Sequence, residues 1–436
     1  MKNGVFSRKG IIYLLLILIV FLPRSIQIAG IYSFRVPIII CFLLLLYSAH
    51  GKIRFNIFLK KPLFWLYFIY ACLRYYAAGQ ITTGIGIIVD CVLVLYCAAS
   101  AISKQKDFEE FTDIFLSFMI IYSLLGVIEC FIGFNIWFVV SGSSYGPSLN
   151  VVRFGLHRSY GSFSNYMNNG TFLMLSCPLS MWKIQSSKKL KYWIAYILII
   201  CNVLATLTRA AILGVLVLHI IWWIKSGILN VIRKNIIKVI GLIIFLIFIC
   251  QNTAIISIFK SFISMFVSII DITVASDIAA GFGTNARGIG QRFDLYNWVW
   301  ESIQNNKWLG AGPTSVFNYG WTTPTGRTAY KESIENQYLI NLYKYGLSGL
   351  LMYLLMIGTI IVGLINVGEK EALRVLDNKI RRFTFSFLVS SCVIVYFAMG
   401  LMHAYIDEFR MFFILLGILI SYVKSLGSSL GDIRSG

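Results

Sequence analysis

The sequence predicts an all-α polytopic membrane protein, with about twelve transmembrane helices and one large extracytoplasmic loop containing short helices. Three observations carry this. Of 436 residues, 58% are hydrophobic and 13% are charged, against roughly 45–50% and about 25% in soluble domains. The apolar excess runs the whole length of the chain, in stretches near the length a helix needs to cross hydrocarbon. Those stretches are unbroken, whereas a transmembrane β-barrel alternates polar with apolar residues. The same arithmetic excludes a soluble enzyme, a disordered chain and a nucleic-acid-binding domain. A formal charge of +20 therefore implies no nucleic acid partner; in a membrane protein it belongs largely to loops.

Apolar windows fall near 11–30, 36–50, 62–78, 84–102, 111–133, 166–182, 192–207, 210–224, 236–252, 345–366, 383–402 and 411–424. The first follows Lys2, Arg8 and Lys9 with no small-residue cleavage site behind it, so it reads as a retained span. The run 254–280 is interrupted by Lys260, Asp271 and Asp277 and reads as an interfacial helix. Lysine-rich connections, such as Lys60/Lys61, Lys183 to Lys191 and Lys370 to Arg382, occur at alternate loops. By the positive-inside rule those loops and both termini are cytoplasmic. The nine cysteines sit in or beside apolar windows and make no CxxC pair, so they read as packing residues. The chain reads as one integral membrane domain over 1–436, with the large outward loop at 253–344 inside it.

The outward side carries arginine in preference to lysine: Arg24, Arg35, Arg74, Arg153, Arg158, Arg209, Arg287, Arg292, Arg327 and Arg410. Orientation needs only a point charge, whereas arginine offers a planar fork that grips phosphate with two hydrogen bonds. An arginine surplus on the side that positive-inside statistics disfavour points to an anionic ligand. Arg24, Arg74, Asp90 and Glu129, costly in lipid, are expected to face the interior, with Arg74–Asp90 as a natural pair.

No P-loop, GxSxG or HExxH motif is present, and the four histidines are too dispersed for a metal site. The first outward loop, Gly30 to Arg35, holds no carboxylate, unlike the acidic pair usual in large multi-span glycosyltransferases. Three outward segments stand out instead. Arg153 to Asn165 enters a span, Thr206 to Gly214 turns a hairpin through Arg209, and Arg287 to Leu351 runs through Trp308–Leu309–Gly310–Ala311–Gly312 and Glu335–Asn336–Gln337–Tyr338–Leu339. Phe293, Tyr296, Trp300 and Ile303 recur at helical spacing and read as a packing stripe. Gly310 and Gly312 read as turn residues.

In order and content these segments resemble the O-antigen polymerase and ligase superfamily of bacterial polysaccharide synthesis. Arg158–Gly161–Phe163 is similar to its R-x-x-G-x-F element, and Thr208–Arg209–Ala210–Ala211 to its hairpin arginine motif. Arg292 through Gly312 is similar to its loop helix and turn, and Asn336–Gln337–Tyr338–Leu339 with Gly346–Leu347–Ser348–Gly349 to its span start. The likeness covers about residues 150–365. Ligases place a histidine directly before the Asn-x-Tyr-Leu element; here that position is Glu335, which favours a polymerase.

What the resemblance implies is glycosyl transfer on the outer face of the bacterial cytoplasmic membrane, on undecaprenyl-pyrophosphate-linked glycans. Arg158, Arg209, Arg287 and Arg292 would hold the pyrophosphate, Asn336 and Tyr338 would line the substrate site, and Glu335 or, failing it, His403 beside Asp407 would take the acceptor proton. Arginine supplies the counter-charge, so no metal or cofactor is expected. A chain-length-determining membrane protein is an expected partner. A carbonyl-capping role for Arg209 and snorkelling for Arg158 remain the structural alternatives. The rival functions are an O-antigen ligase and a lipid-linked oligosaccharide flippase; the latter often shows two matching halves, and none is visible in this sequence.

Overall fold

The computed structural model describes residues 8–23, 26–28, 31–48, 58–102, 104–141, 156–187, 189–226, 289–322, 328–331, 334, 336–375, 384–401, 403–404 and 409–434. The helices are α1 (Arg8–Phe21), α2 (Arg35–Ser48), α3 (Pro62–Ala77), α4 (Ile81–Ile88), α5 (Val94–Ala101), α6 (Gln105–Ile132), α7 (Ile136–Ser141), α8 (Tyr166–Ser187), α9 (Leu190–Ala205), α10 (Arg209–Ser226), α11 (Ile289–Ser302), α12 (Gln337–Val375), α13 (Phe385–Met399) and α14 (Phe409–Arg434). Two short antiparallel hairpins join them: β1 (Gln27–Ile28) with β2 (Ile31–Tyr32), and β3 (Tyr319–Thr322) with β4 (Thr328–Lys331).

Local chemistry sets the ends. Pro62 occupies the first turn of α3, where its missing N–H costs nothing. Thr384 caps α13 by accepting from the Phe387 N–H. Gly133 ends α6 in the left-handed conformation with φ 70°. Pro23 follows α1, and α1 stops at Phe21. The first apolar window therefore contains a helix and then a hairpin, a division that hydropathy does not register because Ile26, Ile28 and Ile31 are apolar too.

A helix lies under each apolar window except 236–252, which falls outside the described residues, as does the run 254–280. Among the described residues, three segments are long and apolar enough to cross a membrane: Ile81–Ala101, Gln105–Ile132 and Gln337–Gly368. The first contains a π-helical turn, Val89–Leu93, between α4 and α5. Arg35–Ser48, Leu190–Ala205, Arg209–Ile224, Phe385–Met399 and Phe409–Val423 are shorter apolar helices.

The main core of the described residues is a continuous apolar cluster in which α14 packs on α5, α6 on α9, α12 on α3, and α13 on α8 and α10, with a smaller second cluster around α11. Small residues set the closest approach: Ser421 Oγ donates to the Ala98 carbonyl at 3.1 Å, where α14 crosses α5. Two interior carboxylates are paired with cations. Arg35 grips Asp90 through Nε and Nη2, both at 2.8 Å, and Lys183 pairs with Asp113 at 2.8 Å. Arg74, expected on Asp90, instead donates to the Leu309 carbonyl at 2.7 Å. The carboxylate takes the guanidinium that the β1–β2 turn delivers, and Arg74 at the far end of α3 meets the loop.

That loop repairs a break in α12. Gly346, at φ 69° and ψ −167°, interrupts the helix, which frees the Tyr343 and Lys344 carbonyls and the Leu347 and Ser348 amides. The segment Lys307–Gly312 takes up all four. Ala311 N donates to Tyr343 O at 2.7 Å and Gly312 N to Lys344 O at 3.1 Å, while Leu347 N donates to Lys307 O at 2.8 Å and Ser348 N to Trp308 O at 3.3 Å. The Trp308–Gly312 turn and the Gly346–Gly349 span start thus form one unit. Gly310, at φ 68°, and Gly346 press backbone to backbone; a Cβ on Gly310 would lie 2.5 Å from the Gly346 nitrogen.

Gly346→Ala is expected to destabilise the protein by more than about 1–3 kcal/mol, because that backbone region is open essentially to glycine alone and the added methyl would strike Trp308. Gly358→Ala, where a Cβ meets nothing, is expected to leave stability unchanged or raise it. Thermal unfolding of the purified variants in one detergent checks both.

Candidate functional site

The site is built from loops that close one end of the bundle. Glu129, in the last turn of α6, is 4% exposed and gathers donors from three directions. Tyr160 N and Gly161 N reach it at 3.1 Å each, and Asn135 Nδ2 at 2.7 Å. The loop before α8 is pinned a second time at its Ser159, whose N–H donates to the Ala205 carbonyl at 3.0 Å and whose hydroxyl donates to Asn202 Oδ1 at 2.8 Å. Gly161 turns at φ 56°, close against the Tyr122 hydroxyl, which donates to Asn169 Oδ1 at 2.7 Å.

These anchors fix the residue between them. Arg158 is 9% exposed, its guanidinium stacked 3.8 Å from the centre of the Tyr166 ring. Nη2 donates to the Leu207 carbonyl at 3.5 Å, while Nε is buried with no hydrogen-bond partner among the described residues. Burial pushes the Tyr160 phenol up to about 12, with Tyr166 adding to the rise and Arg158 opposing it; the ring beside Arg158 therefore stays neutral at physiological pH.

Leu207 sits in the α9–α10 hairpin at φ 49°, a left-handed conformation unusual for a leucine. Thr206 Oγ1 donates to the Val203 carbonyl at 2.7 Å and Thr208 Oγ1 to the Thr206 carbonyl at 3.2 Å. That strained turn ends at Arg209, the half-buried first residue of α10. Arg158 and Arg209, far apart in sequence, thus belong to two loops folded on one another. One carbonyl of that hairpin, Leu207 O, is taken by Arg158.

A second group forms where α12 begins. Asn336 Nδ2 donates to the Leu401 carbonyl at 3.0 Å and lies 3.4 Å from the Tyr296 hydroxyl of α11. Gln337 N donates to Gly400 O at 2.8 Å, and Tyr338 OH to Phe397 O at 2.8 Å. His403, 2% exposed, is two residues beyond Leu401, so Asn336, Tyr338 and His403 share one neighbourhood. Arg292 lies one helical turn before Tyr296 in α11. Glu335, Arg287 and Asp407 lie outside the described residues.

The two groups are on the same end of the bundle. A Cβ on Gly214, little more than a turn into α10, would meet Met399 Sδ at 2.6 Å and Met174 Sδ at 2.7 Å, so Arg209 and the Gly400–His403 turn terminate adjacent helices. Of the stripe expected along α11, Ile303, just beyond its end, is covered, and Leu295 and Val299 join it. Leu295, Val299 and Ile303 pack with Phe317, Ile334 and Tyr343, while Trp300 is exposed. A cavity of about 440 Å³ lies beside the second group, lined among others by Asp90, Gln337, Lys344 and Arg410; Arg158 and Arg209 do not line it. Of the outward arginines, Arg410 donates to the Ile19 carbonyl at 2.7 Å and stacks 3.9 Å over Phe34.

Sequence reasoning did not assign Glu129 its role of holding the Arg158 loop. Its signal was a lone carboxylate in an apolar run. Glu129→Leu would strand three buried donors at about 1–3 kcal/mol each. It is expected to lower stability by at least about 2 kcal/mol, whereas Glu129→Gln, which keeps one acceptor oxygen, loses less; chemical or thermal unfolding checks the ranking.

No curated protein matches the chain. Residues 194–354, a stretch holding Arg209, α11 and the start of α12, match the family model described as O-antigen ligase, which supports placing the chain in the O-antigen ligase and polymerase superfamily.

Proposed function

We propose that this protein joins undecaprenyl-pyrophosphate-linked repeat units on the outer face of the bacterial cytoplasmic membrane, as an O-antigen or capsular polysaccharide polymerase. The family match supports ligase- or polymerase-type glycosyl transfer on lipid-linked glycans. The observation that favours this chemistry is Arg158, buried and aimed at the hairpin that starts α10 at Arg209. In this reading twelve spans cross the membrane, with both termini inside and the site at the outward end.

The acceptor sugar hydroxyl attacks the anomeric carbon of the donor glycan. The bond from that carbon to the pyrophosphate oxygen breaks, and the hydroxyl proton passes to a base. Charge builds on the departing pyrophosphate; Arg158, Arg209, Arg287 and Arg292 are the residues assigned to hold it, since cations fixed before the charge forms stabilise it most. The base is Glu335, next in the chain to Asn336, with His403 as alternate from the neighbouring helix end. Polymerase is preferred over ligase because a carboxylate stands where ligases have histidine. Placement of Asn336 two residues from His403 through Leu401 favours ligase-like use of a histidine as the second reading.

Full-length protein in vesicles with labelled lipid-linked repeat units is expected to elongate them without an energy source. Arg209→Ala is expected to reduce elongation about 10²–10³-fold, the scale of a lost oxyanion donor. Arg209→Lys is also expected to be impaired, since an ammonium cannot supply the two-point grip; wild-type rates in either would refute the assignment. Glu335→Gln should inactivate while His403→Gln retains activity, and the reverse pattern moves the base to His403. In a deletion strain, single-repeat glycan identifies a polymerase and accumulated lipid-linked polymer a ligase.

A further inference from the structure

The cavity beside α12 carries chemistry that the leaving-group arginines do not use. Its deep wall is aromatic and apolar, with Phe68, Cys91 and Met356. Its polar lining among the described residues includes Asp90, Gln337, Lys344 and Arg410, together with Ser315, Tyr67, Tyr75 and Tyr343. The Asp90 carboxylate is already neutralised by the two-point grip of Arg35. Lys344 is different: among the described residues its ammonium makes no hydrogen bond or ion pair. Arg410, 5% exposed, brings a second positive charge. Among the described lining residues, Lys344 is thus a cation with no counter-charge of its own within an apolar bundle, where such a charge is costly. An anion of matching size relieves that cost, and about 440 Å³ lies within the roughly 300–1,000 Å³ common for ligand pockets.

Placement adds to this. The first turn of α12 divides the cavity from the α13 end: Gln337, Ile340, Tyr343 and Lys344 face the cavity, while Asn336 and Tyr338 bond to Leu401 and Phe397. Ala404, next to His403, also lines the cavity. We propose that this cavity binds the phosphate-bearing head of the second substrate, so that an acceptor anchored by Lys344 and Arg410 presents its sugar hydroxyl over the start of α12. The assignment as acceptor rests on the polymerase reading above. Phosphate recognition by the cavity does not.

The test uses full-length protein in phosphatidylcholine nanodiscs carrying Arg209→Ala, which weakens the leaving-group site. Undecaprenyl phosphate and inorganic pyrophosphate are the two probes, titrated separately and followed by native mass spectrometry and by protein fluorescence. Adding Lys344→Gln is expected to weaken at least one probe tenfold or more, and Lys344→Arg to stay within about twofold of the parent. The tighter probe names the source, lipid-borne or free. Unchanged affinity of both probes in Lys344→Gln overturns the proposal. Should that variant not fold by its melting curve, Lys344→Met takes its place with the same two outcomes. Lysine-dependent binding combined with no elongation by the wild-type protein would refute the polymerase reading while leaving the cavity assignment standing.

Discussion

Backbone groups in an apolar bundle have no water to turn to, and the arrangement of this protein follows from how it meets that constraint at Gly346. A break in a membrane helix releases carbonyls and amides that each cost several kcal/mol when left bare. Here the release is answered by Lys307–Gly312, which supplies two donors and two acceptors in the right order. The answer requires close backbone contact, hence Gly310 against Gly346. It also determines where the loop sits, because α11 reaches the turn through the Gln304–Asn306 helix and packs Leu295, Val299 and Ile303 against residues flanking α12. Tyr70 and Arg74 of α3 complete the joint, through the Ser348 hydroxyl and the Leu309 carbonyl. With the half-helix from Gln337 to Tyr345 held this way, Asn336 and Tyr338 reach the end of α13.

The ionised groups obey a related economy. Asp90, Asp107 and Asp113 each meet a cation at 2.8 Å, and Glu129 is satisfied by amides. Carboxylates in the described interior are therefore consumed by structure, while Lys344 and one face of Arg158 keep donor capacity.

Much of this was readable in advance because it depended on local chemistry. Apolar runs located the helices, and Arg158 and Arg209 were noticeable as cations where topology does not require them. Other features left no local trace. The pairing of 307–312 with 343–348 joins a segment that reads as a turn to one that reads as the start of a span, and neither sequence announces the other. Glu129 was recognisable as an interior charge, but its donors come from Asn135 and a loop some thirty residues further on. The stripe through Tyr296 and Trp300 told only part of the packing, because α11 has apolar residues on two faces and its neighbours cover Leu295 and Val299 along with Ile303. Asp90 drew the wrong arginine because pairing depends on which loop returns over the helix, and Arg35 arrives through a hairpin embedded in an apolar window.

The splint across α12 has a consequence for exchanging parts between relatives. The loop before α12 and the helix it repairs are reciprocal halves of one hydrogen-bonded joint, so the loop is not an independent cassette. A chimaera that imports residues 289–336 without a compatible partner for Gly346 would strand amides and carbonyls on both sides of the seam. Specificity grafted between such proteins has to travel with its helix, as a single block that begins before α11 and ends beyond Gly349.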